Sequence, residues 1–581
     1  MKSHKIGQLT GSCMQSEKDR NLRSTDEKIM DFLKNQTQFH LGFLPTEQSH
    51  PGTIGLDEMC KKDTAAGIKM LLSVDRDIPP RVSTVLASPE FKRLLASMKK
   101  SVTGGGKIVF SGCGATGRLS ILLEAAWRKS PHSKPGMENR VFSIMTGGDY
   151  ALVRSVESFE DYASFGRRQA KDIGITSADT FVAVTEGGET SSVLGSAIQA
   201  ADDGAGVFLV FNNPAELLSE RIERSREAIT DPRITVLDLC TGPMAIAGST
   251  RMQAVTSELL VLGYALQKTF NSYSGADDRN PVETFIQLLD DLVGEEALET
   301  LSAFVEYEQH IYSNGGLITY FGDKSLLDIF TDTTERAPTF MLPPFVKCDD
   351  NVSPQSRAFV KSPLHPTEKA WQEVLGRKPR CLEWTRQDYI KLNASEKIIN
   401  NPPAITAAEM LKFKIGNEPD ERRFGTKSSS AVAILSVSDI PGIQNFLQAF
   451  NRHKKDFSES RIYFIGSNCP IQGSYCIPCR IEKSPVNLWE HLAVKLVMNT
   501  VSTITMVRMG RIKSNWMSWV ETSNKKLIDR STRLISELSG LSYKDACREL
   551  FVSIGEIEKT DWSGREKPSP VQYTLSRLIR H

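Results

Sequence analysis

The feature that most constrains this chain is an alternation of short apolar runs with longer amphipathic stretches. Residues 108–110, 141–145, 180–184, 207–211 and 234–239 have strand length and composition. Between them, residues 119–128, 159–173, 191–202 and 216–225 carry apolar side chains at helical spacing. Each helix returns the chain to the same end of the sheet, so such strands pair in parallel, with helices on both faces. A long apolar helix is expected over 251–268, and two more over 282–292 and 297–312.

The pattern then restarts. Gly315-Gly316 precedes a strand candidate at 317–321 that ends at Gly322, and further candidates lie at 381–385, 431–437 and 462–465. FLVFNNP (208–214) has a counterpart in YFIGSNCP (463–470), and the helix 251–268 has one in 491–509. This is a degenerate duplication of a whole unit. The second copy carries extra residues within 346–430, rich in Pro, Lys and Arg. At 581 residues the chain exceeds one ordinary core. The expectation is α/β, with two doubly wound parallel-sheet domains in tandem and a C-terminal helical lid. The domains span 46–290, with helices before its first strand, and 291–512. A polar, flexible leader occupies 1–45, and the lid and tail 513–581.

Charge excludes some partners. Lys+Arg number 71 against 70 Asp+Glu, a net charge of +1, which gives no general attraction to nucleic acid or anionic membranes. No apolar run is long enough to span a bilayer, and MKSHKIGQLTGSCMQSEKDR lacks the apolar core of a secretory signal. Ten scattered cysteines in a long chain fit reduced thiols and a cytoplasmic setting. Cys476-x-x-Cys479, with Cys469 nearby, lacks the second half of a four-ligand site, so the three are read as ordinary thiols; no metal or cofactor is expected.

The first strand runs into KIVFSGCGATGR (107–118), a glycine loop that opens a helix. Such a loop lets backbone N–H groups close around phosphate oxygens, and the helix N-terminus adds positive charge. Gly112-x-Gly114-x-x-Gly117 also fits the dinucleotide fingerprint. That reading wants an acid at the end of the next strand, which instead ends in Thr146-Gly147-Gly148, with only Asp149 close by. The loop TEGGETSS (185–192), after strand 180–184, offers a second hydroxyl-rich helix N-terminus and points to a small sugar phosphate. Both loops belong at the carboxyl ends of parallel strands, where ligands bind.

Three further stretches carry a resemblance: GPMAIAGSTRMQAVT (242–256), LPTEQSHPGT (44–53) and TGGDYALVRSVESFED (146–161). They resemble the family of the N-acetylmuramic acid 6-phosphate etherases and the glucokinase regulatory protein, within the sugar isomerase (SIS) superfamily. KLVMNTVSTITMVRMGRI (495–512) and SNKKLIDRSTRLISELSG (523–540) extend it over the second copy. The resemblance implies two SIS domains and a helical lid, as in the regulatory protein.

Carried over by position, it places Gly114, Ala115 and Thr116 on the phosphate loop, with Ala115 where a hydroxyl is usual. Thr185, Glu186 and Gly187 fall on the second sugar loop, where an acid is unusual. Glu160 matches an acid/base glutamate of the etherases. The other glutamate is replaced by Ala126 in the first copy and kept as Glu335 in the second. The family lysine is Leu259 in the first copy and Lys495 in the second. One pseudo-symmetric site is thus expected, bridging both domains. The resemblance implies a fructose-phosphate-like ligand that regulates a hexokinase/glucokinase-type partner, although 470–492 lacks the Leu-Phe-Pro element of the regulatory protein. The alternative it implies is an etherase that removes lactate by elimination and water addition, with Glu160 and Glu335 as the acid/base pair. Aldose–ketose isomerisation is a third option.

Overall fold

The computed structural model describes residues 25–132, 134–274, 279–425, 428–562 and 566–579. Five strands, β1 (Ile108–Gly112), β2 (Val141–Met145), β3 (Thr180–Val184), β4 (Gly206–Phe211) and β5 (Ile234–Asp238), form a parallel sheet in the order β2-β1-β3-β4-β5. A second parallel sheet is built from β6 (Leu317–Phe321), β7 (Ala358–Lys361), β8 (Ser429–Ser436), β9 (Glu459–Ile465) and β10 (Tyr475–Ile477). Its order is β10-β9-β8-β6-β7. Read from β7 this is the order of the first sheet, so the duplication is structural. β4 and β9 carry the matched FLVFNNP and YFIGSNCP segments.

The second strand of the second copy corrects the sequence reading. It is Ala358–Lys361, not 381–385. This four-residue run is fully buried but ends in Lys361, whose ammonium donates to the carbonyls of Lys414 (3.1 Å) and Glu418 (2.7 Å). Residues 381–385 instead belong to a strap that leaves the second domain and crosses the first. Trp384 stacks on Phe159, with ring centroids 6.3 Å apart, and meets Phe165 edge-on at 5.5 Å. Arg377 and Arg380 both pair with the buried Glu124, and Ser164 donates to the Leu392 carbonyl at 2.8 Å.

Two long helices, Gln253–Ser274 and Leu488–Arg508, pack against each other, and one apolar cluster runs through them from domain to domain. Beyond the second sheet, helices Lys525–Ser539, Tyr543–Lys559 and Pro570–Ile579 close over Val520, Leu534, Ile535, Ala546, Leu550 and Val571. The last of these makes part of the expected tail helical. The leader packs onto these helices from residue 25 rather than standing free. Ile29 and Phe32 are buried with Cys547, and the Leu41 N–H donates to Asp529 at 3.2 Å. Among the described residues, no helix is long and apolar enough to cross a membrane.

Candidate functional site

β1 and β3 are neighbours, and the strand order reverses between them. In an open parallel sheet this is where a crevice forms beyond the carboxyl ends. The glycine loop leaves β1 here and enters helix Gly114–Lys129. Gly112 is required: a Cβ there would lie 2.4 Å from the Thr116 carbonyl, so a side chain would push the helix off the strand. Gly114 has φ of +55°, the left-handed region. Thr116 closes this loop on itself, accepting from the Cys113 N–H at 3.1 Å and donating to the Cys113 carbonyl at 2.9 Å. The second loop leaves β3 and enters helix Ser191–Asp202, whose N-terminus has no side-chain cap.

Both loops line one cleft of about 670 Å³. Its walls come from four parts of the chain. The first domain gives Cys113, Gly114, Ala115, Glu160, Asp161, Glu186, Glu189 and Gly248–Arg251; the second gives Glu335; the lid gives 523–527 and Arg530; and the leader gives Phe39. Of the nine residues singled out from sequence, Gly114, Ala115, Glu160, Glu186 and Glu335 line this cleft. Thr116, Thr185, Gly187 and Lys495 do not. The Thr185 hydroxyl is bonded to that of Thr190 (3.0 Å), and the Gly187 carbonyl accepts from Asn213 (3.0 Å). Lys495 sits below, between the two long helices. Its ammonium donates to the Arg251 carbonyl (3.1 Å), Thr256 Oγ1 (2.7 Å) and Asn499 Oδ1 (3.0 Å). Burial pushes it down to about 8, against the opposing pull of Asp75.

The carboxylates differ in their surroundings. Glu335 projects from helix Leu326–Phe340 and is bonded to the buried Arg118 of the glycine-loop helix. Arg118 is fixed by the Leu152 carbonyl (3.1 Å) and Thr334 Oγ1 (2.9 Å). Glu160 lies on the short turn Phe159–Asp161, which the strap's Trp384 braces, and it accepts from Asn524 of the lid at 3.4 Å. Crowding by protein raises its pKa; Lys526 offsets this, and the charges of Glu189 and Asp161 add to it. Glu186 is pushed up to about 7, mainly by burial, with Glu335 and Glu189 adding. For Glu189 burial opposes ionisation, but Lys526 and Arg224 outweigh it and hold the group at about 2.

Two groups of cleft residues escaped the sequence reading. One is GSTR (248–251), which lies inside GPMAIAGSTRMQAVT. The other is the lid and leader pair, which is joined through Glu47. This buried carboxylate takes a bidentate bond from Arg530 (2.9 and 2.8 Å) and another from Arg533 (3.1 Å). LPTEQSH carries part of the resemblance, but nothing local signals that its glutamate meets residues almost five hundred positions away.

At the second sheet, the corresponding glycine-poor loop is filled by the chain's own acids. Asp439 accepts from the Lys324 and Ser436 N–H groups (3.0 and 2.9 Å), and Glu490 accepts from the Ser436 and Ser438 hydroxyls. An anion's place is thus already taken. Among the described residues, no three His, Cys, Asp or Glu side chains are arranged to hold a metal.

The model described as the glucokinase regulatory protein N-terminal SIS domain matches residues 90–201. The N-acetylmuramic acid 6-phosphate etherase 1 of Bacillus licheniformis is 30% identical over 223 residues, 38% of this chain and 67% of that protein. The N-acetylmuramic acid 6-phosphate etherase of Caldanaerobacter subterraneus is 31% identical over 221 residues, 38% of this chain and 65% of its own length. The chain thus spans about two thirds of the length of these relatives. The tagatose-6-phosphate ketose/aldose isomerase of Escherichia coli superposes at a TM-score of 0.45 and 11% identity, covering 79% of this chain and 96% of that one.

Proposed function

Because the chain belongs to the SIS-domain family of the N-acetylmuramic acid 6-phosphate etherases and the glucokinase regulatory protein, we propose that its cleft binds a sugar phosphate between the two domains. The observation that carries this reading is the convergence of two helix N-termini and the carboxylates Glu160 and Glu335 on one cavity. Helix N-termini suit the phosphate, and carboxylates suit sugar hydroxyls.

The chemistry these groups fit best is that of an ether-cleaving lyase acting in the cytoplasm, with N-acetylmuramic acid 6-phosphate as substrate. Glu335, positioned by Arg118, takes the proton next to the carbon that bears the ether. That C–O bond breaks, and Glu160, whose raised pKa keeps its proton to higher pH, protonates the departing lactate. Water then adds across the double bond left in the sugar.

A second reading, a ligand-responsive regulator of a hexokinase-class enzyme, is favoured by the fused duplication and by the second loop being filled with Asp439 and Glu490. Lactate release from N-acetylmuramic acid 6-phosphate separates the two. Release that Glu160→Gln abolishes carries the lyase reading. Binding of fructose 6-phosphate without lactate release from either wild type or variant carries the regulator.

A further inference from the structure

Three thiols at the edge of the second sheet take no part in the sugar-phosphate reading. Cys469 lies on the connection from β9 to β10, Cys476 on β10, and Cys479 just beyond it. None of the three lines the cleft. Spacing along the chain singles out Cys476-x-x-Cys479 as the close pair, but the sheet separates those two. Successive side chains of a strand point to opposite faces. Cys476 is in register with Phe464 and packs against the cluster that Phe464 forms with Phe446 and Phe450. Ile477 and Cys479 pack on the other face, in the cluster that runs from domain to domain.

Cys469 shares its face with Cys476 and packs against the same cluster. The connection turns at Gly473, with φ of +77°, and brings the two together, so that both the N–H and the thiol of Cys469 reach toward the Cys476 sulfur. Neither thiol is held by a strong partner. Cys476 donates to the Gly466 carbonyl at 3.3 Å, and Cys469 meets the Ser474 hydroxyl at 3.0 Å. Both are partly accessible, whereas Cys479 is buried.

We propose that Cys469 and Cys476 form a site of reversible oxidation, which closes to a disulfide when a peroxide reaches this loop. Burial raises the Cys476 thiol and keeps it protonated, so Cys469 takes the first step. The Ser474 hydroxyl, which also donates to the Ile471 carbonyl at 2.8 Å, can turn to hold the Cys469 thiolate. That sulfur attacks one peroxide oxygen, the O–O bond breaks, and the other oxygen leaves as hydroxide and takes up the thiol's proton. Cys469 then carries a sulfenic acid. The Cys476 sulfur attacks the sulfenic sulfur, the S–S bond forms, the S–O bond breaks, and a second water leaves with the Cys476 proton. Two thiols and one peroxide give one disulfide and two waters, and a dithiol reductant reverses the change. The bond would tie the short edge strand β10 to the end of β9.

The test treats the full chain with hydrogen peroxide, then unfolds it, alkylates the free thiols and digests with trypsin. Cleavage after Arg461 and Arg480 leaves all three cysteines in one peptide, 462–480. Mass spectrometry is expected to show that peptide short of two hydrogens and alkylated once, on Cys479, with all three positions alkylated after dithiothreitol. Cys479→Ser still loses the two hydrogens. Cys469→Ser and Cys476→Ser do not, and in Cys476→Ser dimedone traps the sulfenic acid on Cys469. The oxidised chain melts at or above the temperature of the reduced chain, because the partners already face each other and the bond closes a short loop. An alkyl group on Cys469 or Cys476 of the oxidised wild type, a sulfinic acid on either in place of the bond, or a lowered melting temperature on oxidation overturns the proposal.

Discussion

Arg118 donates to the carboxylate of Glu335, 217 residues further along the chain. The first belongs to the helix after the glycine loop and the second to a helix of the other domain, so the bond crosses the domain boundary at the floor of the cleft. Replacing Arg118 by Met leaves Glu335 without its cation in a largely buried place. A broken pair of this kind costs about 3 kcal/mol. Urea denaturation of Arg118→Met reads that loss. Glu335→Gln, which keeps a hydrogen-bonding oxygen but leaves the more deeply buried Arg118 without its counter-charge, costs about as much and also abolishes any acid/base step that uses the carboxylate.

The Glu47 carboxylate does the same for the leader and the lid. Burial works against its ionisation, but Arg530 and Lys526 overcome this and hold it down at about 2. A carboxyl depressed from its usual 4.5 gives stability that is complete above that value and is lost as pH falls toward 2. Glu47→Gln is therefore expected to release the lid at neutral pH, and limited proteolysis will cut it between 513 and 525 several-fold faster than in wild type. Lowering the pH from 6 to 3 should raise cleavage of the wild type but leave the variant flat.

Glu186 runs the other way. Its pKa is raised to about 7, so the folded state favours its proton. The resulting stability is present below about 4.5, the usual value, and is lost as pH rises to 7 and beyond. Glu186→Gln removes the penalty. By denaturant unfolding the variant should equal wild type at pH 4 and exceed it by about 1 kcal/mol at pH 8. It should also bind sugar phosphates more tightly at pH 8, where wild type places a negative charge in the cleft.

The strap offers a test far from any chemistry. Trp384→Ala removes a ring that packs on Phe159 and Phe165, beside Glu160. Loss of a half-buried aromatic costs about 2 kcal/mol. The expected signature is weaker ligand binding with little change in pH dependence, because Glu160 is misplaced and its surroundings are otherwise intact.

The parallel sheets were legible because strand and helix periods differ and the glycine loop punctuates the first copy at Gly112 and Gly114. The duplication was legible through β4 and β9, whose apolar runs are long. β7 was hidden because a four-residue strand ending in Lys361 has no period to detect, and β10, three residues long, left even less. Glu160 and Glu335 were reached only through family resemblance; as bare glutamates they look like surface acids. The Glu47–Arg530 bond depends on chain folding over hundreds of residues, and local sequence carries no trace of such a contact.

Binding of a sugar phosphate in the interdomain cleft is read by the melting temperature of the full chain with and without millimolar fructose 6-phosphate and N-acetylmuramic acid 6-phosphate, beside the unphosphorylated sugars. A rise of several degrees is expected with at least one phosphorylated sugar and none with its neutral counterpart. An unchanged melting temperature with both sugar phosphates would contradict it.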